Sequence, residues 1–111
     1  MEEDTQEFLK RITDAVAGIR GEDQQILATA GLEWVDLMLR KNRDYGSSAW
    51  KTPLLAPELS AGSAIQVRMS DKIERLRSLL AKSPEITDET IRDTVKDLGV
   101  YCLLWLARPA E

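Results

Sequence analysis

The stretch SAIQVRMSDKIERLRSLLA, residues 63 to 81, decides the fold of this chain. Its apolar residues recur every three or four positions, which is the spacing of an amphipathic helix. This pattern predicts a helix that begins between Ser60 and Ser63, ends near Ala81 and is closed by Ser83 and Pro84. The side chains expected to face the core are Ile65, Met69, Ile73, Leu76 and Leu80.

Three further segments show the same periodicity. The spacing predicts helices over residues 4–20, with Gly21 as the stop, and over 24–42. A last helix is predicted from an N-cap at Thr87, with Ile86 in a hydrophobic staple, to about Ala107. The side chains that this helix is expected to bury are Ile91, Val95, Leu98, Cys102, Leu103 and Leu106. Prolines, glycines and serines between 46 and 62 indicate a long loop. We therefore expect an all-α bundle of four main helices in a single domain over 1–111, with a long loop between helices 2 and 3.

Composition narrows the classes of function. The chain has 111 residues and a net charge of −4, from 15 basic against 19 acidic side chains, which opposes binding to duplex nucleic acid. No apolar run approaches the length of a membrane span, and no signal peptide pattern opens the chain. With one cysteine, the protein is expected to be cytoplasmic and reduced.

The sequence contains no histidine, and its single cysteine lies inside an apolar stretch. A zinc site of the usual kind and a Ser-His-Asp or Cys-His nucleophile are therefore excluded. Any metal would have to be held by carboxylate oxygens, the ligands that suit magnesium or manganese.

One acidic row lies on the last predicted helix. Asp93, Asp97 and Tyr101 follow each other at intervals of four residues and so share one side of that helix. Two carboxylates one turn apart repel each other, which favours a neutralising cation, either a metal ion or a basic side chain of a neighbouring helix. The alternative is an ordinary solvated helix face.

A basic row lies on the helix before it. Arg68, Lys72 and Arg75 share one side, together with Asp71. An arginine fork and a mobile lysine charge are the groups that usually hold phosphoryl oxygens. The alternative is a network of ion pairs between this row and Asp93 and Asp97. Both interpretations predict that the two rows face each other.

The motif KNRDYG, residues 41 to 46, ends the second predicted helix. Lys41 could neutralise phosphate, Asp44 could cap or bend the chain, Tyr45 could stack on a base and Gly46 could adopt a positive φ. A plain helix-ending turn explains the aspartate and the glycine equally well. In the loop that follows, Trp50 is either an apolar plug over the bundle or a lid that stacks on a base.

These motifs together resemble the nucleotide modification associated domain 1 family, small proteins frequent in phages and prophages. The resemblance covers about residues 33–106. It rests on the order of three segments: KNRDYG followed by SSAW, then DKIERL, then DTVKDLGVY. The family is itself distantly similar to the all-α nucleoside triphosphate pyrophosphatases of the MazG kind, in which acidic residues on paired helices hold magnesium.

The resemblance implies the nature of the site. Asp93 and Asp97 would form one acidic pair and serve in catalysis, and Glu33 with Asp36 would complete the metal site, unless Asp71 and Glu74 do so. Magnesium or manganese would be the cofactor. The substrate-binding residues would be Lys41, Asp44, Tyr45, Trp50, Lys72, Arg75 and Tyr101. The pattern departs from the ExxD motif of the pyrophosphatases, because the spacing of the second pair here is DxxxD.

Three functions remain open at this point. The first is a magnesium-dependent pyrophosphohydrolase that acts on nucleoside triphosphates. The second is a nucleotide-binding module without catalysis, and the third is a helical adaptor whose charges form a surface network. The chain is expected to form a homo-oligomer, because its apolar residues, three tryptophans among them, exceed what one small core buries.

Overall fold

The computed structural model describes residues 2–46, 48–81 and 88–110. This part of the chain is all-α and contains no strand, so the predicted fold class is confirmed. Its helices are α1 (Glu2–Ala17), α2 (Gly21–Tyr45), α3 (Ala61–Ala81) and α4 (Asp88–Ala107), with a short 3-10 turn at Ser48–Trp50. The segment between α2 and α3 is otherwise irregular, as predicted. The expected closure at Ser83 and Pro84 and the staple and N-cap at Ile86 and Thr87 lie outside the described residues.

The chain groups into two compact units, Met1–Val35 and Asp36–Glu111. The expectation of one domain over 1–111 stays a prediction. None of the helices in the described ranges is both long and apolar enough to span a membrane.

The first unit contains α1 and the beginning of α2. Helix α1 ends before the predicted stop: the Gly18 amide donates to the Ala15 carbonyl, and the Arg20 guanidinium donates to the Ala17 carbonyl. Gly21 instead begins α2 with a φ of +77°, a conformation that glycine adopts at no steric cost. The apolar stripe of α1 is exposed, with Phe8 at 62% and Ile12 at 41%.

The second unit is built on α3 and α4, which pack against each other. Lys72 lies nine residues before the end of α3, Asp97 lies nine residues after the start of α4, and their side chains are 3.5 Å apart. The direction of the helices follows from the lining of one cavity. Arg68, which precedes Lys72 on α3, lines it together with Val100 and Leu104, which follow Asp97 on α4, as expected for antiparallel helices. The pair therefore forms a helical hairpin.

The seam of this hairpin follows a spacing of four and three residues on both helices, typical of helices packed nearly side by side. Ile65 and Leu79 are buried on α3, at 1% and 8% exposure, and Thr94 is buried on α4 at 4%. Lys72 and Asp97 occupy positions within the same seam. The residues at this spacing are Ile65, Met69, Lys72, Leu76 and Leu79 on α3 and Thr94, Asp97, Tyr101 and Leu104 on α4, and each is buried or partly buried.

Several predicted core positions are wrong. Ile73 and Leu80 on α3 are 54% and 67% exposed, and Val95 and Leu106 on α4 are 51% and 71% exposed. The prediction for α3 followed a broad apolar stripe, whereas the hairpin buries a narrower one. The seam takes Leu79 instead of Leu80, which leaves the outer edge of the stripe uncovered.

The loop after α2 is fixed to the end of α4. The Trp50 indole Nε1 donates a hydrogen bond of 3.0 Å to the Leu104 carbonyl. The last four carbonyl groups of a helix accept no hydrogen bond from an amide of the same helix, so they need donors from elsewhere. Arg108 serves the next one, since its Nη1 donates to the Trp105 carbonyl at 2.7 Å while its guanidinium lies 3.9 Å from the centre of the Trp105 ring.

Candidate functional site

The motif KNRDYG forms a defined turn at the end of α2. Gly46 has a φ of +65°, and the Asn42 amide donates a hydrogen bond of 3.0 Å to its carbonyl. A glycine in this conformation is the usual residue just after the end of a helix. The expectation that Gly46 adopts a positive φ is confirmed, and the turn places Lys41 on the last part of α2, close to α4.

Two lysines converge on one carboxylate. Lys41 Nζ lies 2.7 Å from Asp97 Oδ1, and Lys72 Nζ lies 3.5 Å from Asp97 Oδ2. The three side chains are partly buried, with exposures of 41%, 29% and 29% for Lys41, Lys72 and Asp97. The positive charge that Asp97 was expected to need is therefore supplied by two lysines, one on α2 and one on α3. The predicted contact between the basic and acidic rows is confirmed for Lys72 and Asp97.

This ion cluster forms one wall of a cavity of about 420 Å³, which we call the Asp97 cavity. Its volume is within the range of small-molecule sites. Residues of α2 and the following loop line one side, and residues of α3 and α4 line the other. The lining residues are Met38, Lys41, Asn42, Gly46, Ser48, Ala49, Arg68, Lys72, Asp97, Val100, Tyr101 and Leu104.

The charge of the cavity is strongly positive although the whole chain is acidic. Among the described residues of its lining, three side chains are basic, Lys41, Arg68 and Lys72, and Asp97 is acidic. Three positive charges and one negative charge leave a net charge of +2. Arg68 forms no ion pair within the described ranges, so its guanidinium is available to a ligand. An anion is the ligand that such a cavity attracts.

The cavity also offers groups for the uncharged part of a ligand. Met38, Val100 and Leu104 supply apolar surface, and Tyr101 supplies a ring with a hydroxyl group. Asn42 and Ser48 add polar side chains beside the turn. This combination of an apolar wall and a few convergent polar groups is typical of sites that hold a small molecule.

Other predicted substrate-binding residues lie elsewhere. Arg75 lines a separate open depression with Asp71, Glu74, Ser78 and Leu79, and Asp44 is exposed outside the cavity. Trp50 is absent from the cavity lining and donates to Leu104. The side chain of Tyr45 lies outside the described residues. Of the predicted set, Lys41, Lys72, Tyr101 and the carboxylate of Asp97 come together.

The residues proposed for magnesium do not assemble a metal site in the described ranges. No cluster of three or more carboxylate or thiol side chains suited to a metal occurs there. Asp93 is exposed, Asp36 pairs with Arg40 at 3.1 Å, and Glu33 belongs to the first unit. Both oxygens of Asp97 already face ammonium groups. These donors do not fit a magnesium ion, and a magnesium cofactor stays a prediction that rests on the resemblance.

Arg68 is the charged lining residue that the predicted site omitted. It belongs to the basic row on α3, but that row gave no reason to prefer it over Arg75 as the phosphate-binding arginine. The seam supplies the reason: Arg68 precedes Lys72 by one helical turn, on the side of α3 that faces the end of α2. Arg75 lies one turn beyond Lys72 toward the other end of the hairpin.

No family model, curated protein or solved structure matches this chain. The assignment of a function therefore depends on the geometry and charge of the Asp97 cavity.

Proposed function

We propose that the Asp97 cavity binds a nucleotide or a closely related small molecule through its phosphate, and that the chain acts as a nucleotide-binding module. The observation that supports this proposal is the excess of positive charge in one concave site. Among the described residues, Lys41, Lys72 and Arg68, which forms no ion pair there, face the carboxylate of Asp97. The apolar wall and Tyr101 would receive the base or sugar.

The charge count favours a terminal phosphate monoester. Such a group carries a charge of about −1.5 to −2 near pH 7, which matches the net charge of +2 in the cavity. Arg68 would grip two phosphate oxygens with its planar fork, and the two ammonium groups would turn from Asp97 toward the phosphate. In this arrangement Asp97 is a counter-ion that competes with the ligand for the lysines.

Binding is tested by calorimetric titration of the full chain with nucleoside mono- and triphosphates, first in the presence of a chelator. We expect binding without metal, and an affinity that falls as salt is added, because the main contacts are between charges. Inorganic phosphate, which lacks a base and a sugar, serves to separate the contribution of the phosphate from that of the apolar wall.

A matched pair of variants identifies the arginine. Arg68→Ala should weaken binding by about 10-fold to 100-fold, since a hydrogen bond to a charged group contributes about 1.5–3 kcal/mol. Arg75→Ala removes the same side chain from the same helix outside the cavity and should leave affinity nearly unchanged. Equal losses in both variants, or a larger loss in Arg75→Ala, would contradict the assignment of the site.

Asp97→Asn separates binding from catalysis. If Asp97 only balances Lys41 and Lys72, its neutralisation raises the net charge of the cavity and should strengthen the binding of anions. If Asp97 holds magnesium in a pyrophosphohydrolase, as the resemblance implies, the same variant should lose turnover of nucleoside triphosphates. Release of monophosphate and pyrophosphate by the parent chain with magnesium, abolished in this variant, would replace the binding module with the hydrolase.

A further inference from the structure

The uncharged polar side chains of the Asp97 cavity differ in the hydrogen bonds that they can offer a ligand. Among the described residues of the lining they are Asn42, Ser48 and Tyr101. A serine or tyrosine hydroxyl donates to one ligand and accepts from another, because its hydrogen rotates about the C–O bond. An asparagine amide carries its donor and its acceptor on different atoms, so a contact that fixes its orientation also fixes which of the two a ligand meets.

The amide of Asn42 is fixed in this way by the turn that ends α2. Its Nδ2 donates a hydrogen bond of 3.0 Å to the Gly46 carbonyl, four residues further along the chain. A carbonyl oxygen only accepts hydrogen bonds, so the nitrogen of the amide, and not its oxygen, has to face Gly46. The oxygen of the same planar amide is left for another partner.

The oxygen Oδ1 of Asn42 is accessible to such a partner. It accepts no hydrogen bond from another residue of the described ranges. Within those ranges, the side-chain polar atom that is both buried and without a hydrogen-bond partner is Trp34 Nε1. Asn42 Oδ1 is therefore not sealed inside the protein, although the residue is half-buried and lines the cavity. Because Asn42 follows Lys41 directly on α2, this acceptor lies beside one of the ammonium groups of the cavity.

We propose that Asn42 is a specificity-determining residue of the Asp97 cavity, whose Oδ1 accepts a hydrogen bond from an N–H or O–H group on the uncharged part of a bound phosphate ester. The inference rests on the proposed function, in which Lys41, Lys72 and Arg68 hold the phosphate. In a nucleotide the donor is a ribose hydroxyl or an amino group of the base. A ligand that has only C–H at that place leaves Oδ1 without a partner. Loss of one such hydrogen bond should weaken binding about 3-fold to 10-fold.

Calorimetric titrations of the full chain in chelator test the proposal with one series of ligands. Adenosine monophosphate carries three kinds of donor outside its phosphate: the 2′-hydroxyl, the 3′-hydroxyl and the amino group of the base. Three analogues lack one each, namely 2′-deoxyadenosine, 3′-deoxyadenosine and purine riboside monophosphate. At least one of them should bind about 3-fold to 10-fold more weakly than adenosine monophosphate. The analogue that does so identifies the sugar or the base as the source of the donor.

The variant Asn42→Ala assigns the preference to the amide. It should no longer distinguish adenosine monophosphate from the analogue that the parent chain disfavours. Ser48→Ala is the matched control, because it removes a hydroxyl group from the same lining. Whatever affinity this control loses, its preference for the donor should equal that of the parent chain. A preference that persists in Asn42→Ala, or that disappears in Ser48→Ala, would overturn the proposal.

Three further variants decide the matter if Asn42→Ala does not fold, which circular dichroism shows. Ser48→Ala, Tyr101→Phe and Asp97→Ala each remove another side-chain acceptor of the described lining. Retention of the preference in all three would support Asn42 as its source, whereas loss in any one would assign the preference to that residue and overturn the proposal.

The same titrations separate this inference from the proposed function. Equal affinities for all four nucleotides, or for adenosine monophosphate and inorganic phosphate, would overturn the role of Asn42 and leave the phosphate site in place, provided that Arg68→Ala weakens binding. If neither adenosine monophosphate nor inorganic phosphate binds, the proposed function fails and the role of Asn42 fails with it.

Discussion

Replacement of Trp50 by phenylalanine keeps a ring in the loop after α2 and removes only the indole N–H. The structure gives that group one role, a hydrogen bond of 3.0 Å to the Leu104 carbonyl. A bond of this kind has a net contribution of about 0.5–1.5 kcal/mol, so Trp50→Phe should lower the free energy of unfolding by about 1 kcal/mol. Trp50→Ala also loses the contacts of a half-buried ring. Burial of roughly 100 Å² of that ring adds about 2.5 kcal/mol, for a total near 3.5 kcal/mol.

Urea unfolding followed by far-ultraviolet circular dichroism measures both losses, because most of the described chain is helical. Leu55→Ala, at a position in the same loop that is 97% exposed, serves as the control and should change stability by less than about 0.5 kcal/mol. The two interpretations of Trp50 differ in a second measurement. If Trp50 is a plug that holds the loop to α4, its replacement should mainly lower the free energy of unfolding. If Trp50 is a lid that stacks on a base, its replacement should mainly weaken ligand binding. An unchanged urea midpoint in Trp50→Phe, with weaker nucleotide binding, would refute the plug.

Two further predictions concern the turn and the seam. Gly46→Ala should lower the free energy of unfolding by about 1–2 kcal/mol, because alanine is strained at a φ of +65° although space for its Cβ is open. Gly31→Ala should instead raise the free energy of unfolding by about 0.5–1 kcal/mol, because Gly31 lies inside α2 with open space for a Cβ and without a positive φ. Thermal unfolding of both variants checks this contrast. Leu79→Ala should lower stability by about 2–5 kcal/mol, and the same change at Leu80 by far less, because the two leucines are 8% and 67% exposed. Equal losses at 79 and 80 in urea unfolding would show that the seam is set differently.

The sequence was sufficient for the fold class and for most helix bounds, because four segments with a 3.6-residue period compete with no alternating pattern. It was insufficient for the register of the seam. Ile73 and Leu80 belong to the same broad stripe as Ile65, and periodicity alone does not say which edge of a stripe a neighbouring helix covers. Gly21 was predicted to end the first helix but is the first residue of α2, because a glycine is equally able to end one helix or begin the next.

The part of the site on α3 and α4 was predictable from helical spacing, whereas the part that depends on α2 was not. The rows that carry Lys72 and Asp97 were identified from helical spacing, and their contact follows from two adjacent antiparallel helices. Whether Arg68 or Arg75 lines the Asp97 cavity depends on where the end of α2 contacts the hairpin. That contact joins residues far apart in the chain, and no local sequence pattern predicts it. Lys41 was expected to hold phosphate, but its pairing with Asp97 at 2.7 Å joins residues 56 positions apart in the chain.

The position of Lys72 and Asp97 inside an otherwise uncharged seam has a consequence for the evolution and engineering of this protein. Replacement of a partly buried ionic cluster by well-packed apolar residues is often neutral or stabilising. Leucine or methionine at positions 72 and 97 would continue the spacing of four and three residues along the seam, and the same change at position 41 of α2 would remove the remaining charge of the cluster. Selection of variants for heat resistance alone would therefore tend to remove the charged layer. If the Asp97 cavity serves the cell, only selection for its ligand keeps the lysines and the aspartate in place.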